Sequence, residues 1–109
     1  MSIKISAKIS ADSVLKSMSE TYAQRNEIYG DNFRRVAPVI NILFPEGVPS
    51  ELVVSDQWHL FELLIVKLTR FAVSDLQHQD SIHDAAVYAA MIEAILIEQN
   101  QEFDNLAVG

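Results

Sequence analysis

Asp80 and Asp84 stand one helical turn apart in the run 80-DSIHDAAVYAAMIEAIL-96. Two carboxylates at that spacing can share a divalent cation such as Mg²⁺, which prefers hard oxygen ligands, and a cation so held can grip phosphate oxygens. Glu62, in the preceding segment, is the candidate third carboxylate. That segment, 62-ELLIVKLTR-70, also carries Lys67 and Arg70 in a largely apolar run. At 100° per residue His59, Glu62, Lys67 and Arg70 fall within one arc of roughly 140°. The two cations can meet phosphate, or they can pair with Asp80 or Asp84. Asp84 has a local reading too: with Ser81 it completes a capping box, and Asp80 sits where a helix dipole welcomes negative charge.

A second constellation lies in 25-RNEIYGDNFRR-35. Turn chemistry accounts for the corner, with Gly30 closing one helix and Asp31 opening the next. Arg25, Tyr29, Asn32 and Arg34 also bring two guanidinium groups, a ring and an amide to a helix start, a set suited to a nucleotide base or phosphate. His59, His78 and His83 lack the spacing of a zinc site, and cysteine is absent, so they read as solvated or capping histidines. There is no Gly-rich phosphate loop, nucleophile elbow or Ser/His/Asp arrangement; hydrolysis by a side-chain nucleophile is disfavoured.

The elements that must position these residues follow from periodicity. Residues 2–10, SIKISAKIS, alternate apolar and polar, the mark of an extended arm that pairs with a second subunit or frays. From Asp12 the period becomes helical, with Asp12 or Ser13 as cap and Gly30 as stop. Asp31 caps a second helix over 32–44, in which Pro38 marks either a start near Ala37 or a kink. Residues 45–55 read as a Pro- and Gly-containing loop. Ser55 or Asp56 caps a third helix to about Leu76, a short linker follows, and a fourth helix begins at Ser81 and frays after about Asn100. The fourth has Glu93 as its one charge between Ala85 and Ile97, so it is expected to be buried nearly all round, at the centre of the fold or of a dimer. The organisation expected is an arm over 1–11, a single all-α four-helix bundle over 12–100 and a polar tail over 101–109.

Composition adds bounds. At 109 residues and 50% apolar content, one small domain struggles to hide its apolar surface, which argues for an oligomer, at least a dimer. The lack of cysteine fits a reducing cytoplasm. No leader pattern or membrane-length apolar run is visible, so no membrane partner is expected. Residues 71–109 hold seven acids and no Lys or Arg, which argues against a nucleic-acid partner for that end.

The order Arg25…Tyr29-Gly30…Asn32-Phe33, then Lys67…Arg70, then Asp80…Asp84…Tyr88 resembles a family of small phage and prophage proteins of poorly defined function. Over about residues 20–97 that family is distantly similar to the MazG and dimeric dUTPase group of all-α nucleoside triphosphate pyrophosphohydrolases. The resemblance implies a four-helix, Mg²⁺-dependent, oligomeric hydrolase that releases pyrophosphate. Its metal site draws on an E-E-x₂-E run and an E-x₂-D pair. Asp80 and Asp84 map loosely onto the pair with altered spacing, and Glu62 alone stands for the run.

Two functions are therefore expected. In the first, a MazG-like nucleotide-binding protein, Glu62, Asp80 and Asp84 hold Mg²⁺ as the catalytic centre, and a metal-activated water attacks the triphosphate. Lys67, Arg70, Arg25 and Arg34 then offset phosphate charge, while Tyr29 and Asn32 contact base or sugar. In the second, a phage interaction protein has lost the chemistry and binds and modulates a host protein.

Overall fold

The structure, a computed structural model, describes residues 9–108, and among these the side chains of all but 28, 29 and 103–108. Five α-helices and no strand occur among the described residues: α1 (Ala11–Tyr29), α2 (Val36–Leu43), α3 (Ser50–Val53), α4 (Asp56–Val73) and α5 (Gln79–Val108). The all-α expectation holds. The alternating arm lies outside the described residues except for Ile9 and Ser10. The chain divides into two compact units, Met1–Gly30 and Asp31–Gly109.

The first unit is built on α1. Its cap is Ser10, earlier than the Asp12 or Ser13 expected, because Ser10 is the last extended residue (φ −103°, ψ 156°) and its Oγ accepts from the Ser13 N–H at 3.2 Å. Gly30 ends the helix as expected, at φ 60°, ψ −149°, a conformation that a Cβ strongly disfavours. The apolar stripe of α1, including Leu15, Met18 and Tyr22, is exposed.

The second unit is organised around α4 and α5. The expected helix over 32–44 divides into a 3₁₀ turn, Asn32–Arg34, and α2. Pro38 occupies the first turn of α2, where its missing N–H leaves no helical bond unmade, so the helix starts near the proline and has no kink from it. The expected loop over 45–55 contains α3, a single turn entered from Pro49. Ser55 caps α4: its Oγ accepts from the Trp58 N–H at 3.1 Å and donates to the Leu52 carbonyl at 2.7 Å.

Between α4 and α5 the chain turns through Asp75 and Leu76, both at positive φ (56° and 65°), which stops α4 at Val73, before the Leu76 expected. Ser74 holds this turn by accepting from the Gln77 and His78 N–H groups at 3.2 and 2.9 Å and donating to the Phe71 carbonyl. The helices then run antiparallel, because Lys67 meets Asp84 while Trp58, further back along α4, shares a hollow with Ile92, further along α5.

The inner side of α5 is marked by Ser81 and Ala85, both buried, and by half-buried Tyr88, Ile92 and Ile95. Its other sides are open: Ile82, Val87, Met91 and Ile97 are exposed. Burial all round is thus not achieved within the second unit, since a hairpin offers α5 one neighbour along most of its length. The helix also continues past Asn100 to Val108. Glu98, Gln99, Gln101 and Glu102 have good helix propensity and need no apolar contact to extend it.

The apolar residues buried outright are Trp58, Ile65 and Ala85. Around Trp58, Phe44 packs edge-on at 5.6 Å between ring centroids, Phe61 lies at 6.0 Å, and Phe44 meets Phe61 edge-on at 6.1 Å. Each such pair stabilises by about 0.5–1.5 kcal/mol beyond area burial, so the cluster fastens the end of α2 to the start of α4. No helix among the described residues is long and apolar enough to cross a membrane.

Candidate functional site

The polar residues of the second unit gather where α4 ends and α5 begins. Helical spacing on α4 brings Lys67 to the α5 side, and Asp84 occupies the facing edge of α5. The Lys67 Nζ lies 2.9 Å from Asp84 Oδ2, with the two side chains 20% and 43% exposed. This bond to Lys67 holds the Asp84 carboxyl below the ordinary aspartate range, partial burial opposes the shift, and the charges of Lys67, His83 and Arg70 add to it. Of the two structural partners offered to Lys67 by the sequence, Asp84 is the one it takes.

Arg70 is half-buried one turn further along α4. Next to it Thr69, 7% exposed, donates its hydroxyl to the Val66 carbonyl at 2.8 Å and accepts from Asn32 Nδ2 at 3.2 Å. Asn32, expected at a base or sugar, thereby ties the 3₁₀ turn to α4. Arg34 faces solvent, with its Nε 3.9 Å from Asp31 Oδ2 and its guanidinium 5.1 Å from the Phe33 ring centroid.

The capping box does not form. The helix begins at Gln79, so Ser81 lies inside its first turn, 2% exposed, with its Oγ 2.7 Å from His78 Nδ1. The His78 carbonyl accepts from the Ser81 and Ile82 N–H groups, so His78 and Ser81 together seal the entry to α5. His59 and His83 are exposed, as solvated histidines should be.

The three carboxylates expected around Mg²⁺ are not gathered. The Lys67–Asp84 register places Asp80 level with residues near Phe71, so Glu62 stands about 13 Å away along the hairpin at ~1.5 Å per helical residue. Asp80 is exposed and Glu62 half-buried. Among the described residues no group of three or more His, Cys, Asp or Glu is placed to hold a metal ion. Asp84, whose Oδ2 is already bonded to the Lys67 ammonium, is not available to a shared cation as it stands.

The remaining expected residues belong to α1. Arg25 lines a shallow groove with Ser17, Met18, Thr21 and Tyr22, and the side chain of Tyr29 lies outside those described. The structure therefore joins Lys67 to Asp84 with the charge of Arg70 acting on the same carboxylate, ties Asn32 to Thr69 on another face of α4, leaves Asp80 exposed at the start of α5, and keeps Arg34 and Glu62 apart from the pair.

At the other end of the hairpin lies a feature that no sequence motif marks. Phe44, Leu52, Gln57, Trp58, Phe61 and Ile92 line a hollow of about 190 Å³. Its one sequence signal is Trp58 and Phe61, three residues apart on a helix and therefore side by side. No protein-family model, curated protein or solved structure matches this chain.

Proposed function

We propose that this chain is a protein-binding helical module whose α4–α5 hairpins pair, two copies together, into a four-helix bundle. The observation that carries this reading is the outer side of α5. Ile82, Ala86, Ala90, Ala94 and Ile97 recur there at helical spacing, turned away from the residues packed toward α4, with Glu93 and His83 on the same side, and all five are exposed. A long apolar stripe exposed on a small domain marks an interaction surface. The alanines let a second helix approach closely, and Glu93 is the one charge in the stretch from Ala85 to Ile97.

In this reading the polar end is structural and the module binds and modulates a partner protein. Light scattering on the full chain tests the assembly that the reading requires. The parent should show the mass of two chains, and Ala90→Glu the mass of one with its helical circular dichroism intact. A parent that stays at one chain across micromolar concentrations overturns it.

A second reading, nucleotide binding, is favoured by the two cations Lys67 and Arg70 that act on Asp84. A phosphate there would compete with Asp84 for Lys67 and gain the half-buried Arg70 as a second cation. The Lys67–Asp84 bond weighs against it, because phosphate must first displace a carboxylate held at 2.9 Å.

A further inference from the structure

The hollow at the aromatic end has a chemistry of its own. Five of its six lining residues are apolar, Gln57 being the exception, and its volume is on the scale of one large apolar side chain. The stretch of chain that supplies most of its lining carries acids and no base. Glu46 follows Phe44 by two residues, Glu51 adjoins Leu52, and Asp56 adjoins Gln57; all three carboxylates are exposed. Glu51 and Asp56 sit in the first turns of α3 and α4, where a helix dipole accounts for them. Glu46 has no such role, and no Lys or Arg occurs anywhere from residue 36 to residue 66. Exposed Leu43, Val53 and Val54 extend the apolar surface on the same elements.

We infer that this hollow docks a basic peptide segment of a partner protein, one large apolar side chain seated against Trp58 and Phe61 with flanking lysines or arginines meeting Glu46, Glu51 and Asp56. The inference rests on the protein-binding reading above and gives that partner its chemistry. An apolar anchor in a desolvated pocket supplies most of the affinity of such contacts, while the surrounding charges steer the encounter and reject partners of the wrong sign. An acidic peptide would meet carboxylates on a stretch that carries no Lys or Arg.

Trp58 is the chain's single tryptophan, so its indole N–H gives one resonance that reports from the hollow itself. The test titrates the ¹⁵N-labelled full chain with three short synthetic peptides of equal length, each with one central leucine, flanked by lysines, by serines or by glutamates. The lysine-flanked peptide should shift the Trp58 resonance saturably and bind about tenfold or more tighter than the serine-flanked one. It should weaken with added salt and lose its effect when its leucine becomes alanine. Glu46→Lys with Glu51→Lys, two exposed changes that leave the core alone, should shift the preference toward the glutamate-flanked peptide. Equal binding of all three peptides would overturn the assigned chemistry and leave the protein-binding reading standing. A Trp58 resonance unmoved by any of them would overturn the docking inference, while the pairing of hairpins stands or falls by light scattering.

Discussion

The Lys67 ammonium and the Asp84 carboxylate, 2.9 Å apart, set the register in which α4 and α5 lie against each other. Two residues that the sequence offers to a phosphate and a metal are joined to each other. The pair is partly sheltered, which places its contribution above that of a freely solvated surface pair and below that of a fully buried one. A double-mutant cycle on Lys67→Met and Asp84→Asn, read by urea unfolding, should give a favourable coupling that shrinks with added salt. A coupling of zero would mean that the bridge does not hold the hairpin.

The same bond makes stability depend on acid. Asp84 is held below the ordinary aspartate range by Lys67, so its folded pKa is lower than its unfolded one. Its contribution is fully present above the ordinary aspartate range and is lost as pH falls through the depressed folded value. Carboxyl NMR should show Asp84 titrating below the range of exposed aspartates, and Lys67→Met should bring it back up. An Asp84 that titrates identically in both proteins contradicts the bridge.

Trp58 joins α2, α3 and α4 in one cluster and is 8% exposed. Trp58→Ala should cost about 3–5 kcal/mol, close to the whole stability of a small domain, whereas Trp58→Phe keeps the edge-on contact with Phe44 and should cost less than half of that. Urea midpoints read by circular dichroism decide this. An alanine variant as stable as the parent would show that the cluster is not the core of the second unit.

Leu76 sits in the α4–α5 turn at φ 65° with its side chain 62% exposed. It bears the cost of a left-handed conformation with little packing in return. Asparagine tolerates that region better than leucine. Leu76→Asn should therefore raise stability by about 0.5 kcal/mol, visible as a higher melting temperature; a lower one would place a packing role on Leu76.

Much of this was legible in the sequence where the signal was local. Helices α1, α4 and α5 announce themselves by apolar period, and Lys67, Arg70 and Asp84 stand out because charge is rare in the runs that carry them. The Ser81–Asp84 pattern misled for a physical reason. A short motif cannot say which of several consecutive polar residues ends the turn, and the pairing of His78 with Ser81 starts the helix two residues early. The joint position of Glu62, Asp80 and Asp84 was also beyond reach, since it depends on the antiparallel register and not on any one helix face. The aromatic hollow was least visible of all: Phe44 and Ile92 are 48 positions apart in the chain, and they meet because α2, α3 and α5 all return to the start of α4.

If the polar end of the hairpin is structural, as proposed, it holds no nucleotide. The most direct measurement is the melting temperature of the full chain across nucleoside triphosphates with Mg²⁺ at millimolar concentrations. A ligand that binds the folded state must raise that temperature once its concentration exceeds its Kd. A flat response for every nucleotide is expected; a saturable rise with any of them, lost in Lys67→Met, would make the polar end a binding site.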